Sequence, residues 1–260
     1  MKTVVITGST RGIGFAMANA FIERGFNAVI SGRKQASVKR AIEALSKSGS
    51  DGTVIGTACN VNSYDDIQGL WDFAIGKFGS VDIWINNAGI SNELRMIEDI
   101  PYAEMQRVVE TNILGEMYGS RIALSGFKKQ GHGALYNMEG MGSKKSRMVD
   151  GLSIYGTTKA GLRYFNDAIA HENKNPNIIV GALLPGMVLT DMVTGQYIDK
   201  PEEWKRVQRI FSAISEDVDV VAEWLVEKMV ANQKNGIRFS FSNPIKISLR
   251  MLKVMFGNKQ

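Results

Sequence analysis

Six short apolar runs recur along the chain, at residues 2–6, 28–31, 53–58, 81–85, 133–137 and 178–184. Each ends in a turn rich in glycine, asparagine or proline, and helical periodicity follows. Residues 64–78 illustrate the helical part, with Ile67, Leu70, Trp71, Ala74 and Phe78 at helical spacing, a pattern that places Trp71 in a core. Short β-branched runs read as buried strands. Strands that alternate with helices predict an α/β fold, a single doubly wound parallel sheet with helices on both faces and right-handed crossovers. The 260 residues, 44% of them hydrophobic, suffice for one such domain. We place it at residues 1–237, with a lid over about 190–215 and a separate tail at 238–260. Ligands bind such sheets at the carboxyl ends of the strands, where Gly8, Arg33, Asn60 and Gly89 all fall.

The first strand runs into Thr7-Gly8-Ser9-Thr10-Arg11-Gly12-Ile13-Gly14 and then a helix. A strand, a glycine turn and a helix start form a phosphate cradle. Gly8 suits the tight turn, Gly12 lets backbone approach a pyrophosphate, and Gly14 lets helix and strand pack closely. The helix N-terminus offers free N–H groups and positive dipole to the anion. After the second strand an acidic residue would hold a ribose 2′-hydroxyl, whereas a basic one accommodates a 2′-phosphate. This chain has Gly32-Arg33-Lys34 there. With Arg11 in the glycine loop, two guanidiniums near one phosphate favour NADPH; two solvated arginines remain the plainer alternative.

Tyr155 and Lys159 are four residues apart, which on a helix sets them on one face, one turn from each other. An ammonium beside a phenol favours phenolate and lowers the tyrosine pKa, as suits a general acid that protonates a carbonyl oxygen. Such pairs are also common on solvated faces. Asn112 sits inside a helix predicted over 101–129, where asparagine is mildly unfavourable and so bonds locally or has a task. Ser143 lies 12 residues before Tyr155, in the glycine-rich turn after the fifth strand.

Thr7 to Gly14, Asn86-Asn87-Ala88-Gly89, Asn112, Ser143, Tyr155 with Lys159, and Pro185-Gly186, in that order, resemble a short-chain dehydrogenase/reductase over roughly residues 1–231. The resemblance implies that Tyr155 protonates the carbonyl oxygen as hydride arrives. It implies that Lys159 lowers the tyrosine pKa and bonds the nicotinamide ribose, and that Ser143 holds the substrate oxygen. Asn112 would position a water that relays protons to Lys159. Gly8 to Gly14, Arg33, Asn60, Val61, Asn87, Ala88, Gly89, Pro185, Gly186, Val188 and Thr190 would hold the cofactor, expected to be NADPH. Asn60 stands where the family often has an acid. Gly142 occupies the family's commonest serine position, with Ser146 and Ser153 as fallbacks to Ser143. A narrower likeness lies in Asn137-Met138-Glu139-Gly140-Met141-Gly142-Ser143 and Tyr155-Gly156-Thr157-Thr158-Lys159. These are similar to the chlorophyll(ide) b reductases, whose activity implies a C7 formyl group on a tetrapyrrole as the carbonyl substrate. Another ketone or aldehyde, such as a 3-oxoacyl thioester, is an alternative. So is a cofactor-sensing protein without turnover, although such proteins usually lack the Tyr/Lys pair. Relatives pair through the helices at 101–129 and 155–171, which implies a homodimer or homotetramer.

The substrate side is expected from residues 90–100, 144–152 and 191–215. Lys144, Lys145 and Arg147 would meet a carboxylate or stand as a solvated loop. The third segment, with Met192, Tyr197, Trp204 and Phe211, suits a large flat apolar substrate or ordinary packing. The net charge of +5 is unevenly placed: seven positive charges and no acid follow Glu227, leaving the rest at −2. That placement argues against nucleic acid as a partner. From Pro244, Ile245, Leu249, Leu252 and Phe256 share one helical face and Lys246, Arg250 and Lys253 another. Residues 244–256 therefore suggest a peripheral membrane contact, or a cover for a subunit interface or pocket mouth. The single Cys59 precludes an internal disulfide and fits a reducing compartment, cytoplasmic or organelle-stromal. Met1-Lys2 leads directly into a strand-like run, which predicts no leader peptide. No metal site is expected.

Overall fold

A computed structural model of the chain describes residues 1–48, 52–143, 148–198 and 200–241. Ser146, Lys144, Lys145, Arg147 and the basic amphipathic segment 244–256 lie outside the described residues. The elements follow in order: β1 Thr3–Ile6, α1 Gly12–Ile22, β2 Asn27–Gly32, α2 Gln35–Leu45, β3 Val54–Ala58, α3 Tyr64–Phe78 and β4 Ile83–Asn86. Then come α4 Tyr102–Val109, α5 Gly115–Gln130, β5 Gly133–Met138, α6 Ser153–Glu172, β6 Ile178–Leu184, α7 Asp191–Thr194, α8 Pro201–Ile214, α9 Val218–Ala231 and β7 Ile237–Ser240. The strands form one sheet, ordered β3-β2-β1-β4-β5-β6-β7, and every pairing is parallel. The order reverses between β1 and β4, which opens a crevice at their carboxyl ends.

Strand residues alternate between two cores because successive side chains point to opposite faces. Val4, Ile6, Ala28 and Ile30 pack with α1, α2 and α9. Val5, Val29, Trp84 and Leu135 pack with α3 and α5 on the other face. Trp71 belongs to that second core, its ring 5.8 Å from Trp84 and 5.5 Å from Phe127. Helix ends follow their local chemistry. The Ser63 side chain accepts the Asp66 N–H at the start of α3, and Gly79, at φ 79°, ends it. Pro201, with Glu202 and Glu203 in the first turn, opens α8, as fixed φ and the helix dipole favour.

Two features depart from expectation. The helix predicted over 101–129 is interrupted by a π turn, Glu110–Leu114, of the kind often found at functional sites. β7 carries the sheet through Ser240, past the boundary expected at 237. Its Arg238 is no free tail charge: the guanidinium bonds Glu139 from both Nε and an Nη, at 3.0 and 2.8 Å, and Asp167 at 2.8 Å. Among the described residues no helix is long and apolar enough to cross a membrane.

Candidate active site

The turn after β1 requires glycine at position 8. Its φ is +62°, and a Cβ there would lie 2.8 Å from the Ala88 Cα. The loop after β4 is tied to this turn. Thr7 Oγ1 accepts the N–H groups of Asn87 and Ala88 at 3.0 and 3.1 Å. The Asn87 amide donates to the carbonyls of Thr7 and Gly8 at 2.9 and 3.0 Å. The two loops thus form one wall of a cavity of about 830 Å³. Of the predicted cofactor residues, Gly8 and residues 10–14, Arg33, Asn60, Val61, residues 87–89 and Thr190 line it.

Ser9, Tyr155, Lys159, Pro185, Gly186 and Val188 are not among its lining residues. Ser9 is fully buried; its hydroxyl donates to the Ile6 carbonyl at 2.6 Å and accepts the Ser31 N–H at 3.0 Å. The Pro185-Gly186 turn packs instead against the end of β7, where Phe241 N–H donates to the Leu184 carbonyl at 2.8 Å. Arg11 lines the cavity, but its guanidinium pairs with Asp191 at the start of α7, 2.9 Å away. In its place Lys34, Ser37 and Arg40 join Arg33 along the cavity. Ser37 and Arg40 are one turn apart on α2, a spacing that was readable once the helix start was known.

Behind the cavity residue Gly89 stand Asn112 and Lys159. A Cβ at Gly89 would lie 3.3 Å from Asn112 Oδ1 and 3.8 Å from Lys159 Nζ. Asn112, held in the π turn, has its side chain committed. Oδ1 accepts the Ile90 N–H at 2.9 Å, while Nδ2 donates to the Ile90 carbonyl at 2.9 Å and to Thr158 Oγ1 at 3.0 Å. It therefore fastens the β4 loop to α6 between Tyr155 and Lys159. Asn92, which the sequence does not single out, accepts the Tyr155 N–H at 3.1 Å and fixes the first turn of α6.

Tyr155 and Lys159 converge at Gly140. A Cβ at that residue would stand 2.6 Å from the Tyr155 hydroxyl and 3.3 Å from Lys159 Cγ, so the phenol rests directly on glycine backbone. Lys159 is buried and its Nζ donates to the Met138 carbonyl at 2.7 Å. Ser143 is buried as well. Its hydroxyl donates to the Lys159 carbonyl at 3.1 Å and accepts the Gly140 N–H at 3.2 Å, turned toward α6. The fallback Ser153 is exposed at the N-terminus of α6.

Burial governs the charges here. It pushes the Tyr155 phenol up to about 12, against the lowering expected from the sequence. Loss of water from around the hydroxyl is the cause. Burial also lowers the Lys159 pKa, while Glu116 and Glu139 work to raise it. Burial raises Tyr136 and Cys59 to about 12, from 10.0 and 9.0. All three acids are raised on folding, so their contribution is complete below the unfolded pKa values of 9.0 and 10.0 and is lost as pH rises toward 12. Each shift is worth on the order of 2–4 kcal/mol. We expect the thermal midpoint to fall steeply above about pH 9–10 and Cys59→Ala to flatten the first part of that fall. A midpoint constant to pH 11 would contradict these assignments.

The short chain dehydrogenase family profile matches residues 2–201. The probable chloroplastic chlorophyll(ide) b reductase NYC1 of Arabidopsis thaliana is 32% identical over 268 residues, covering 96% of this chain and 52% of that protein. The chloroplastic chlorophyll(ide) b reductase NOL of Oryza sativa subsp. japonica is 35% identical over 239 residues, covering 89% of this chain and 67% of that protein. The chain thus spans about half the length of the NYC1 relatives it matches. Among solved structures, a 3-ketoacyl-(acyl-carrier-protein) reductase from Brucella melitensis, complexed with NADH, has a TM-score of 0.78 at 26% identity, covering 92% of this chain and 96% of that one. Levodione reductase reaches 0.80 at 22% identity, covering 94% and 97%, a likeness of fold.

Proposed function

The chain belongs to the short-chain dehydrogenase family of oxidoreductases, and on that footing we propose that it reduces a carbonyl to an alcohol with NADPH. The favoured substrate is the C7 formyl group of chlorophyll(ide) b, giving the 7-hydroxymethyl product. The carrying observation is that Tyr155 and Lys159 meet at Gly140 while Lys159 and Asn112 flank the cavity residue Gly89.

The cavity suits a dinucleotide. The glycine turn is open to close approach, α1 points its N-terminus into it, and its volume is about 830 Å³. Gly8, Gly12, Arg33, Asn60 and Gly89 would hold a reduced nicotinamide dinucleotide there, and the hydride for the carbonyl carbon would come from it. Tyr155 gives the carbonyl oxygen its proton. A phenol raised to about 12 is protonated at neutral pH and so carries the proton that the carbonyl oxygen takes. The Lys159 ammonium steadies the phenolate that remains. Asn112 holds the β4 loop and α6 in register around both. Ser143 reaches the substrate oxygen after its hydroxyl turns from the Lys159 carbonyl.

Arg33, Lys34, Ser37 and Arg40 support a 2′-phosphate and so NADPH. Arg33→Ala and Arg40→Ala are each expected to raise KM for NADPH about tenfold or more, the worth of one charge-assisted hydrogen bond. KM for NADH should change little. Equal use of both cofactors, unaffected by either substitution, would remove the phosphate assignment.

The formyl-tetrapyrrole reading is supported by the names of the relatives at 32% and 35% identity and by the aromatic lid. In the lid Tyr197, Trp204 and Phe211 lie 5.4 to 6.0 Å apart, ring to ring. A 3-oxoacyl thioester is the second reading, favoured by the likeness to the Brucella reductase. NADPH oxidation with chlorophyllide b and a 3-oxoacyl thioester, side by side, separates them. Tyr102 and Tyr164, 82% and 80% exposed on α4 and α6, fit self-association through that helical face.

A further inference from the structure

Tyr155 and Lys159 lie along a seam between α6 and the turn that follows β5. Residues spaced along one face of α6 meet that turn in succession. The Tyr155 hydroxyl stands against Gly140. Lys159 Nζ donates to the Met138 carbonyl at 2.7 Å, and the Lys159 carbonyl accepts the Ser143 hydroxyl at 3.1 Å. Arg163, one turn on, donates to the Ser143 carbonyl at 2.9 Å. Asn166 then donates to Glu139 at 3.5 Å and accepts the Asn137 amide at 2.6 Å. Arg238 of β7 grips both sides of the seam from a third element. Its guanidinium bonds Glu139, which stands in the chain between Met138 and Gly140, and one Nη donates to both Glu139 and Asp167 of α6 at 2.8 Å. The Glu139 side chain is fully buried, with Arg238 20% and Asp167 56% exposed.

Stability alone does not explain this arrangement. The attraction within a buried ion pair is largely offset by the water that both ions lose, and apolar side chains of similar volume hold a fold as well. A planar fork that bonds two carboxylates specifies geometry instead. We propose that Arg238 is a positioning residue for the Tyr155–Lys159 pair, fixing the register of α6 against the turn at residues 138–140 through Glu139 and Asp167. It touches neither substrate nor cofactor. A slip of α6 along the seam takes the phenol off Gly140 and the ammonium off the Met138 carbonyl. A misplacement of about 1 Å at a catalytic group costs up to about 100-fold in rate. The inference rests on the reduction proposed above.

Arg238→Met combined with Glu139→Met separates positioning from stability, because both charges leave together. The thermal midpoint should return most of the way to that of the wild type. The kcat should nevertheless stay about 10–100-fold low, with KM for NADPH nearly unchanged. A merely structural role would restore the rate along with the midpoint, so wild-type kcat in a stable double variant overturns the proposal. Should the double variant not fold, Arg238→Lys is the second probe. It keeps a charge beside Glu139 and loses the fork. Its kcat should fall about tenfold or more, and a wild-type rate overturns the proposal. A third arm needs no turnover. In the cofactor-free protein with ¹³C-labelled tyrosine, the Tyr155 ring signal, assigned by its loss in Tyr155→Phe, should shift in either variant. An unmoved signal overturns the positioning role. A shifted signal in a protein whose wild type turns over no carbonyl overturns the reduction and leaves the register assignment standing.

Discussion

Tyr155→Phe should lower kcat by about 10²–10⁴-fold, the usual worth of a positioned general acid, with KM for NADPH nearly unchanged. The substitution removes one oxygen and leaves the ring. That ring sits at Gly140, where even a Cβ would crowd the hydroxyl. The pH dependence should change along with the rate. In the wild type the phenol is protonated up to about 12, so a fall in rate at moderately alkaline pH is assigned to loss of the Lys159 proton, whose pKa burial lowers. In the phenylalanine variant the residual rate should no longer follow that limb. Full activity in the variant would remove the proton donor from the mechanism.

Arg238→Ala should destabilise the fold by about 3–5 kcal/mol, since it strands a buried carboxylate. The Glu139 side chain is fully buried and Arg238 is 20% exposed. The guanidinium supplies Nε and Nη donors to Glu139, and among the described residues only Asn166, at 3.5 Å, adds another. For a chain of this size that loss corresponds to a midpoint lower by on the order of 10 °C. Removing both partners with apolar residues of similar volume, Arg238→Met with Glu139→Met, should recover most of it. Calorimetry on the single and double variants measures both; an additive double variant would show that the two side chains act independently. The consequence reaches the site, because Glu139 follows Met138, whose carbonyl holds Lys159.

Much of this architecture was legible from side-chain pattern alone. The runs at 2–6 and 178–184 alternate between two cores, and their β-branched residues leave no other packing. Gly8 and the Tyr155/Lys159 spacing are likewise local, set by turn and helix geometry, whereas Asn87 enters through the family resemblance. What escaped depends on residues far apart in the chain. Arg11 meets Asp191, 180 residues later, and no spacing within the glycine loop announces that partner. Ser9 spends its hydroxyl on Ile6, three residues back, and a serine facing a phosphate looks the same in sequence. β7 is a half-buried edge strand of four residues, too short for its alternation to stand out, so Arg238 was counted with the tail. The tyrosine pKa was judged from its neighbour; burial, a property of the whole fold, decides its direction.

The most direct test uses NADPH carrying deuterium at the transferable C4 position, incubated with the protein and chlorophyllide b. The account predicts a hydroxymethyl product one mass unit heavier, with the label on the former formyl carbon, formed about 10²–10⁴-fold more slowly by Tyr155→Phe. An unlabelled alcohol, or labelled product formed equally well by the variant, would contradict hydride transfer in a cleft where residue 155 supplies the proton.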